Sequence, residues 1–399
     1  MLTFQNISGE LAQELDAEDP LASMRDQFIA PGKEGKRDIY FLGNSLGLQP
    51  KRTKEYISQV LDDWGSLGVE SFFHARQPWM DYHQQLTKPL SIIVGAKESE
   101  VAVMNQLTVN LHLLLSTFYR PSGKRIKILC EAKAFPSDQY AFETHVALRG
   151  FSAKEAVLEV APRQGELLLR TEDILQTMHE HKDEIALVLL GGINYYTGQV
   201  LDMRSISHEA GTLGFDLAHA AGNIRLELHN WGVDFACWCN YKYLNAGPGA
   251  IGAIFIHERH HNQNLPRLAG WWGYDQATRF NMEPGFKPME GAAGWQLSTP
   301  SIILYASLKA SLDLFMEAGW EQVQKKRKLQ NDFLWAVLKQ KVKKQDSLQI
   351  ITPADPIWRG SQVSFLVEKN GRNLFDQLTT SGIITDWREP NVIRLAPVP

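Results

Sequence analysis

Between residues 126 and 256 the chain keeps returning to one rhythm, a short apolar run followed by a stretch of helical periodicity. Nothing else in its 399 residues restricts the fold so tightly. The strand candidates lie at 126–130, 156–160, 185–190, 212–217 and 250–256, with helices near 137–149, 171–182 and 203–210 between them. Runs this apolar suit strands buried on both faces, and an intervening helix returns the chain so that the next strand runs parallel to the last. The expected fold class is therefore α/β, a mostly parallel and doubly covered sheet. Ligands of such sheets sit beyond the carboxyl ends of the strands. Asp216 closes one run, and Phe135, Pro136, Ser137 and Asp138 follow another, so both point to one crevice.

Lys242 comes next, in an uncharged segment flanked by Trp238, Tyr241, Tyr243 and Leu244 and followed by a glycine-proline-glycine turn at 247–249. Most lysines are solvated surface groups. An amine in a dry pocket loses its charge more readily and becomes a nucleophile. A lysine amine for a Schiff base and a carboxylate for a protonated pyridine nitrogen are what pyridoxal phosphate requires of a protein. Thr108 begins a buried helix and offers a hydroxyl beside a helix N-terminus, a setting for phosphate that simple capping explains equally well. Phe135 could stack on a planar ring, with Ser137 and Asp138 bonding to it, or the segment could be a plain helix start. His74, in an aromatic stretch at 71–79 read as a loop, could meet a polar group of an aromatic substrate or simply pack. Arg394 lies in an apolar run at 391–396, where an unpaired charge is costly. It needs either a buried protein partner or a ligand carboxylate.

The net charge of −4 gives no basic field for nucleic acid. No apolar stretch is long enough to span a bilayer, and the first residues lack the features of a signal peptide. Three cysteines are too few for a disulfide framework, which fits a reducing, cytoplasmic setting. None of the twelve histidines shows metal-ligand spacing, so no metal is expected; His257, His260 and His261 read as a surface turn. Residues 8–29 read as helical with a break at Asp19 and Pro20, and 39–42 as a short strand. After Pro50 a helix carries Ile57, Val60, Leu61, Trp64 and Leu67 on one face. Past residue 300 come helices at 301–317 and 320–343, then strands at 362–368 and 391–396. The expected division is a large α/β domain at 45–300, with 1–44 and 301–399 forming a smaller α+β domain.

Together these segments resemble the kynureninase family, pyridoxal-phosphate enzymes of fold type I in the aspartate-aminotransferase superfamily. The resemblance runs from about residue 38 to the last. It rests on YFLGNSLGLQP at 40–50, LTVNLH at 107–112, EAKAFPSD at 131–138, YTGQ at 196–199 and FDLAHA at 215–220. WGVDFACWC at 231–239, YKYLNA at 241–246, GW at 270–271 and DWREPNVIR at 386–394 complete it. The resemblance implies pyridoxal 5'-phosphate as cofactor and hydrolysis of the Cβ–Cγ bond of L-kynurenine or its 3-hydroxy form. The products would be anthranilate or 3-hydroxyanthranilate and L-alanine, in tryptophan catabolism or NAD biosynthesis. It implies that Lys242 carries the Schiff base and moves the α-proton, with Tyr241 serving proton transfer at the γ-carbonyl. Asp216 would pair with the pyridine nitrogen, His219 would lie beside the cofactor and Phe135 would stack on it. Leu107 and Thr108 would hold the phosphate, helped by Ser137, Asp138 and Tyr241. Trp271 would reach the cofactor of the neighbouring subunit in a homodimer, with Thr299 near the substrate ring, a position where some relatives carry asparagine. Ser45 and His74 would face that ring, and Arg394 would clamp the substrate carboxylate.

Two departures accompany the resemblance. The segment 199–216 is about one helical turn shorter than in relatives, which calls the helix at 203–210 into question. Relatives also continue from the segment matching 394–399 into a final helix. A cysteine desulfurase or class V aminotransferase on the same scaffold is the alternative, as is a cofactor-binding protein with impaired turnover. A desulfurase would need a mobile cysteine, and Cys130, Cys237 and Cys239 all read as buried.

Overall fold

The computed structural model describes residues 7–33, 35–342 and 347–398. Its centre is a seven-stranded sheet built from β1 (Val101–Val103), β2 (Lys127–Glu131), β3 (Val157–Val160), β4 (Ile185–Gly191), β5 (Leu213–Asp216), β6 (Phe235–Cys239) and β7 (Gly252–Ile256), in the order β1-β7-β6-β5-β4-β2-β3. Strands β2 to β6 run parallel, and β7 is antiparallel to both of its neighbours. A parallel return needs a crossover of a dozen or more residues, usually helical. The connection from Cys239 to Gly252 carries no helix, so β7 reverses direction. The alternation of apolar runs and helices therefore gives the expected sheet, while β1 and β6 were not among the strand candidates. β1 is only three residues long, and no helical stretch separates β6 from the run that forms β7.

Both faces of the sheet are buried, as the runs require. In β4, Leu187 and Leu189 join one core while Val188 and Leu190 join the other; in β6, Phe235 and Cys237 oppose Ala236 and Trp238 in the same way. Each such large side chain contributes about 2 kcal/mol on burial. The close packing is visible at Gly214 in β5, where a Cβ would lie 2.2 Å from the Phe235 ring.

The helix questioned by the short segment is present at Met203–Glu209. Asp202 caps it, accepting from Ser205 N–H at 3.0 Å, and Met203 and Ile206 are buried beneath it. The helix expected after Pro50 forms at Thr53–Leu67; it buries Val60 but leaves Leu61, Trp64 and Leu67 exposed, because only part of its apolar stripe meets the helix Ile302–Ala318. The stretch at 71–79, read as a loop, begins with one helical turn, Ser71–His74. His257 and His260 also turn inward rather than lying on a surface turn. His260 Nε2 lies 2.6 Å from an Asp234 oxygen. Glu100 Oε1 lies 2.9 Å from His229 Nδ1 and 3.7 Å from His257 Nδ1, and also accepts from Glu258 N–H at 2.8 Å.

A second, antiparallel sheet has the order β8-β9-β11-β10, formed by β8 (Leu348–Ile350), β9 (Val363–Val367), β10 (Asp386–Arg388) and β11 (Val392–Leu395). Side chains alternate across a strand. Phe365, Val367, Trp387, Ile393 and Leu395 pack with Leu334, Leu338 and Leu374. Ser364, Asp386, Arg388 and Arg394 occupy the alternate positions, with Arg394 in register with both Ser364 and Asp386. The N-terminal segment adjoins this sheet: Ile39–Tyr40 forms a separate parallel pair with Ile383–Ile384, and Leu42 bridges Ala396 just past β11. Its helical stretch divides into Gly9–Ala17 and a 3-10 turn at Ala22–Gln27, on either side of the break at Asp19 and Pro20.

Candidate active site

At the carboxyl ends of β2, β4 and β5 a crevice of about 230 Å³ opens, lined among others by Leu107, Thr108, Phe135, Ser137, Asp138, Asp216, His219, Tyr241 and Lys242. Asp216 ends β5 and is buried, and its carboxylate accepts from Ala218 N–H at 2.7 Å. Asp138 lies in the first turn of the helix Pro136–Leu148. Burial, and then the charge of Asp216, holds the Asp138 carboxyl well above the ordinary range; burial also raises Asp216. Buried carboxylates this close resist ionising together, so a cation in the crevice finds strong compensation.

That cation comes from the loop after β6. Lys242 Nζ sits 3.1 Å from His219 Nε2 and 5.9 Å from the centre of the Phe135 ring. Burial, and then the charge of Lys242, lowers the His219 imidazole well below its usual range, so its neutral ring accepts a hydrogen bond from the amine. The loop is held from behind by the turn at 43–47. Gly47 N–H donates to Tyr241 C=O at 2.8 Å, and a Cβ at Gly47 would lie 2.3 Å from the Lys242 carbonyl. Tyr241 is a neutral phenol, its pKa pushed up by burial.

Pyridoxal phosphate fits these donors. The helix Leu107–Phe118 starts at the crevice with no side chain capping it, which leaves its first N–H groups for a phosphate. Asp216 supplies the buried carboxylate, Lys242 the amine and Phe135 an aromatic face. His219 Nδ1 is buried without a partner, a polar atom left over for a ligand.

The other expected residues stand outside this lining. Ser45 is exposed on the turn behind Lys242. His74 is exposed beside Glu70 at 3.6 Å, and Thr299 is exposed. Trp271 is partly open to solvent and packs edge-on against Phe280, also exposed. Arg394 has the buried protein partner that was one of its two readings, since it pairs with Asp386. Sequence reasoning gave no role to Glu131, Gly191 and Tyr195, which also line the crevice. Glu131 and Gly191 end β2 and β4, so the strand-end rule that located Asp216 would have found them. Burial above all, and then the nearby Asp216 charge, pushes the Glu131 carboxyl up to about 7, although Gly191 N–H donates to it at 3.3 Å.

The fold is fold type I of the pyridoxal-phosphate-dependent enzymes. Solved structures with this architecture include the cystine C–S lyase C-DES, in a mutant with glycine covalently linked to its PLP cofactor. That structure has a TM-score of 0.76 at 20% identity and covers 93% of this chain and 94% of its own. The cysteine desulfurase of Thermococcus onnurineus has a TM-score of 0.72 at 16% identity, covering 96% and 92%. Within that fold the chain belongs to the kynureninase family. It is 54% identical to the kynureninase of Flavobacterium johnsoniae over 100% of this chain and 95% of the relative. It is 50% identical to that of Myxococcus xanthus over 98% and 93%. Residues 323–399 match the kynureninase C-terminal domain. The desulfurase alternative falls with this result. Cys130, Cys237 and Cys239 are buried in β2 and β6, where burial raises their thiols instead of freeing a nucleophile.

Proposed function

We propose that the crevice holds pyridoxal 5'-phosphate and hydrolyses the Cβ–Cγ bond of L-kynurenine, or its 3-hydroxy form, to anthranilate or 3-hydroxyanthranilate and L-alanine. The observation that carries this reading is the Lys242 amine, 3.1 Å from a neutral imidazole and sharing its crevice with buried Asp216. When bound, the cofactor makes the substrate α-proton acidic and takes up the electrons of bond cleavage. Lys242 binds the cofactor and then moves the α-proton. Asp216 keeps the pyridine nitrogen charged, and Leu107, Thr108, Ser137 and Asp138 receive the phosphate. Phe135 and His219 fix the ring. Tyr241, adjoining Lys242 in sequence and held as a phenol, gives a proton toward the γ-carbonyl oxygen while water adds to the carbon. Arg394 receives the α-carboxylate.

Ser45, His74, Trp271 and Thr299 belong in this reading to the completed site of a two-fold homodimer, with Trp271 reaching the partner's cofactor. The exposed Phe73, Trp271 and Phe280 rings, with Phe280 meeting Phe73 at 6.5 Å and Trp271 at 5.8 Å, support such an interface. In the same reading residues 45–300 form the cofactor domain, 1–44 and 301–399 form the small domain, and the enzyme serves tryptophan catabolism or NAD synthesis in the cytoplasm. The test is anthranilate fluorescence from purified, cofactor-loaded protein given L-kynurenine, with 3-hydroxykynurenine followed by absorbance. Anthranilate and alanine should appear in equal amounts and vanish in Lys242→Ala. Loaded protein that turns over neither substrate would sink the reading.

A further inference from the structure

Arg394 is 1% exposed, and every feature of its surroundings bears on how its guanidinium points. Asp386 faces it directly across the β10–β11 ladder, so the two side chains share one face of the sheet. One oxygen of Asp386, Oδ2, accepts from Arg394 Nε at 2.5 Å and closely contacts Nη2. On the other side Nη1 donates to the Tyr195 carbonyl at 2.6 Å. That carbonyl also receives Gln362 Nε2 at 2.9 Å, and the Tyr195 ring meets Phe135 edge-on at 5.2 Å. The guanidinium is therefore tied to Tyr195, which lines the crevice.

A guanidinium has five N–H groups. Asp386 takes the one on Nε and closely contacts Nη2, and Tyr195 takes one on Nη1. At least one N–H remains on each Nη, groups with which a carboxylate can form two hydrogen bonds. The same Asp386 oxygen also accepts from Arg388 Nε at 3.0 Å, so two cations surround one anion and the group keeps a net positive charge. Asp386 neutralises the cost of burying Arg394 without cancelling its attraction for an anion.

We propose that Asp386 is a positioning residue for this enzyme, holding the Nε side of Arg394 so that the remaining N–H pair meets the substrate α-carboxylate. It rests on the reading of Arg394 given above. Asp386 touches no reacting atom; it acts through Arg394. Its removal should therefore weaken binding of carboxylate-bearing substrate in ground and transition states alike, raising KM while leaving kcat nearly unchanged.

The experiment compares cofactor-loaded wild type, Asp386→Ala, Asp386→Asn and Arg394→Gln. Each is assayed for KM and kcat with L-kynurenine, and for affinity toward L-kynurenine and its α-amide by titration of the cofactor absorbance. Asp386→Ala should raise KM about 10- to 100-fold, change kcat less than about threefold and lose most of the preference for carboxylate over amide. Asp386→Asn retains one acceptor for Nε and should fall between the two. It decides the matter if the alanine variant does not fold, with a thermal melt matching wild type as the control. Arg394→Gln should abolish the preference altogether. If Arg394→Gln keeps the preference, the carboxylate reading of Arg394 fails. If Arg394→Gln loses it while both Asp386 variants keep it, the role of Asp386 alone is overturned.

Discussion

The crevice around Lys242 and the aromatic surface around Trp271 are built on opposite principles. In the crevice the reactive side chains come from a strand end, the first turn of a helix and the loop after β6, and burial shifts the carboxyls and the imidazole among them. Asp216 ends β5, Asp138 opens a helix, and Lys242 touches His219 at 3.1 Å. Around Trp271 the large side chains sit on short turns with one face in water. The comparison teaches that the groups suited to a cofactor gather in one crevice of a single chain, whereas Ser45, His74, Trp271 and Thr299 stand exposed outside it.

The sharpest test of that contrast lies in the crevice. Lys242→Ala should abolish turnover, a loss of at least about 10⁴-fold, and leave no cofactor fixed to the protein by borohydride reduction. Cofactor still fixed covalently to Lys242→Ala would place the link elsewhere. Asp216→Asn keeps the shape and removes the charge, and should lower kcat by about 10²- to 10³-fold with little change in melting temperature. Turnover near wild type would break the claim that this carboxylate holds the pyridine proton. On the aromatic surface, Phe280→Glu should split the proposed homodimer in sedimentation and cost activity in proportion to the monomer formed. A variant that stays dimeric and active would separate that surface from the site.

Two smaller effects bear on the scaffold. Gly214→Ala drives a methyl into the Phe235 ring and should destabilise the fold by about 1–3 kcal/mol, read from denaturant melts. Glu131 has a folded pKa of about 7 against 4.5 for the ordinary carboxyl. The folded state then binds a proton that the unfolded chain has released. This contribution is complete below pH 4.5 and is lost as pH rises toward and through about 7. Glu131→Gln should therefore flatten that part of the stability–pH curve for cofactor-free protein, and an unchanged slope would contradict a neutral Glu131.

What could be read in the sequence divides along the same line. Strand ends are legible, because apolar runs mark the sheet and topology dictates where ligands sit; Asp216 and Asp138 follow from that, and Lys242 from its uncharged, aromatic-flanked segment. Partnerships formed across the chain are not. Nothing local tells that Asp386 claims Arg394, that His260 claims Asp234, or that Leu61 and Trp64 stay open on an apolar helix face. Each is decided by which distant element packs against the residue. The direction of β7 lay between these extremes, since it depends on a loop too devoid of helix to make a crossover.

The pairing of Ile39–Tyr40 with Ile383–Ile384 also sets an order of assembly. Asn44 bonds Gln362 across 318 positions of chain, so the first forty-odd residues leave the ribosome long before their partners exist. The seven-stranded sheet draws all its strands from residues 101–256 and can close in the meantime. During synthesis Ile39–Tyr40 and Asn44 wait for these partners, and their docking closes a large loop.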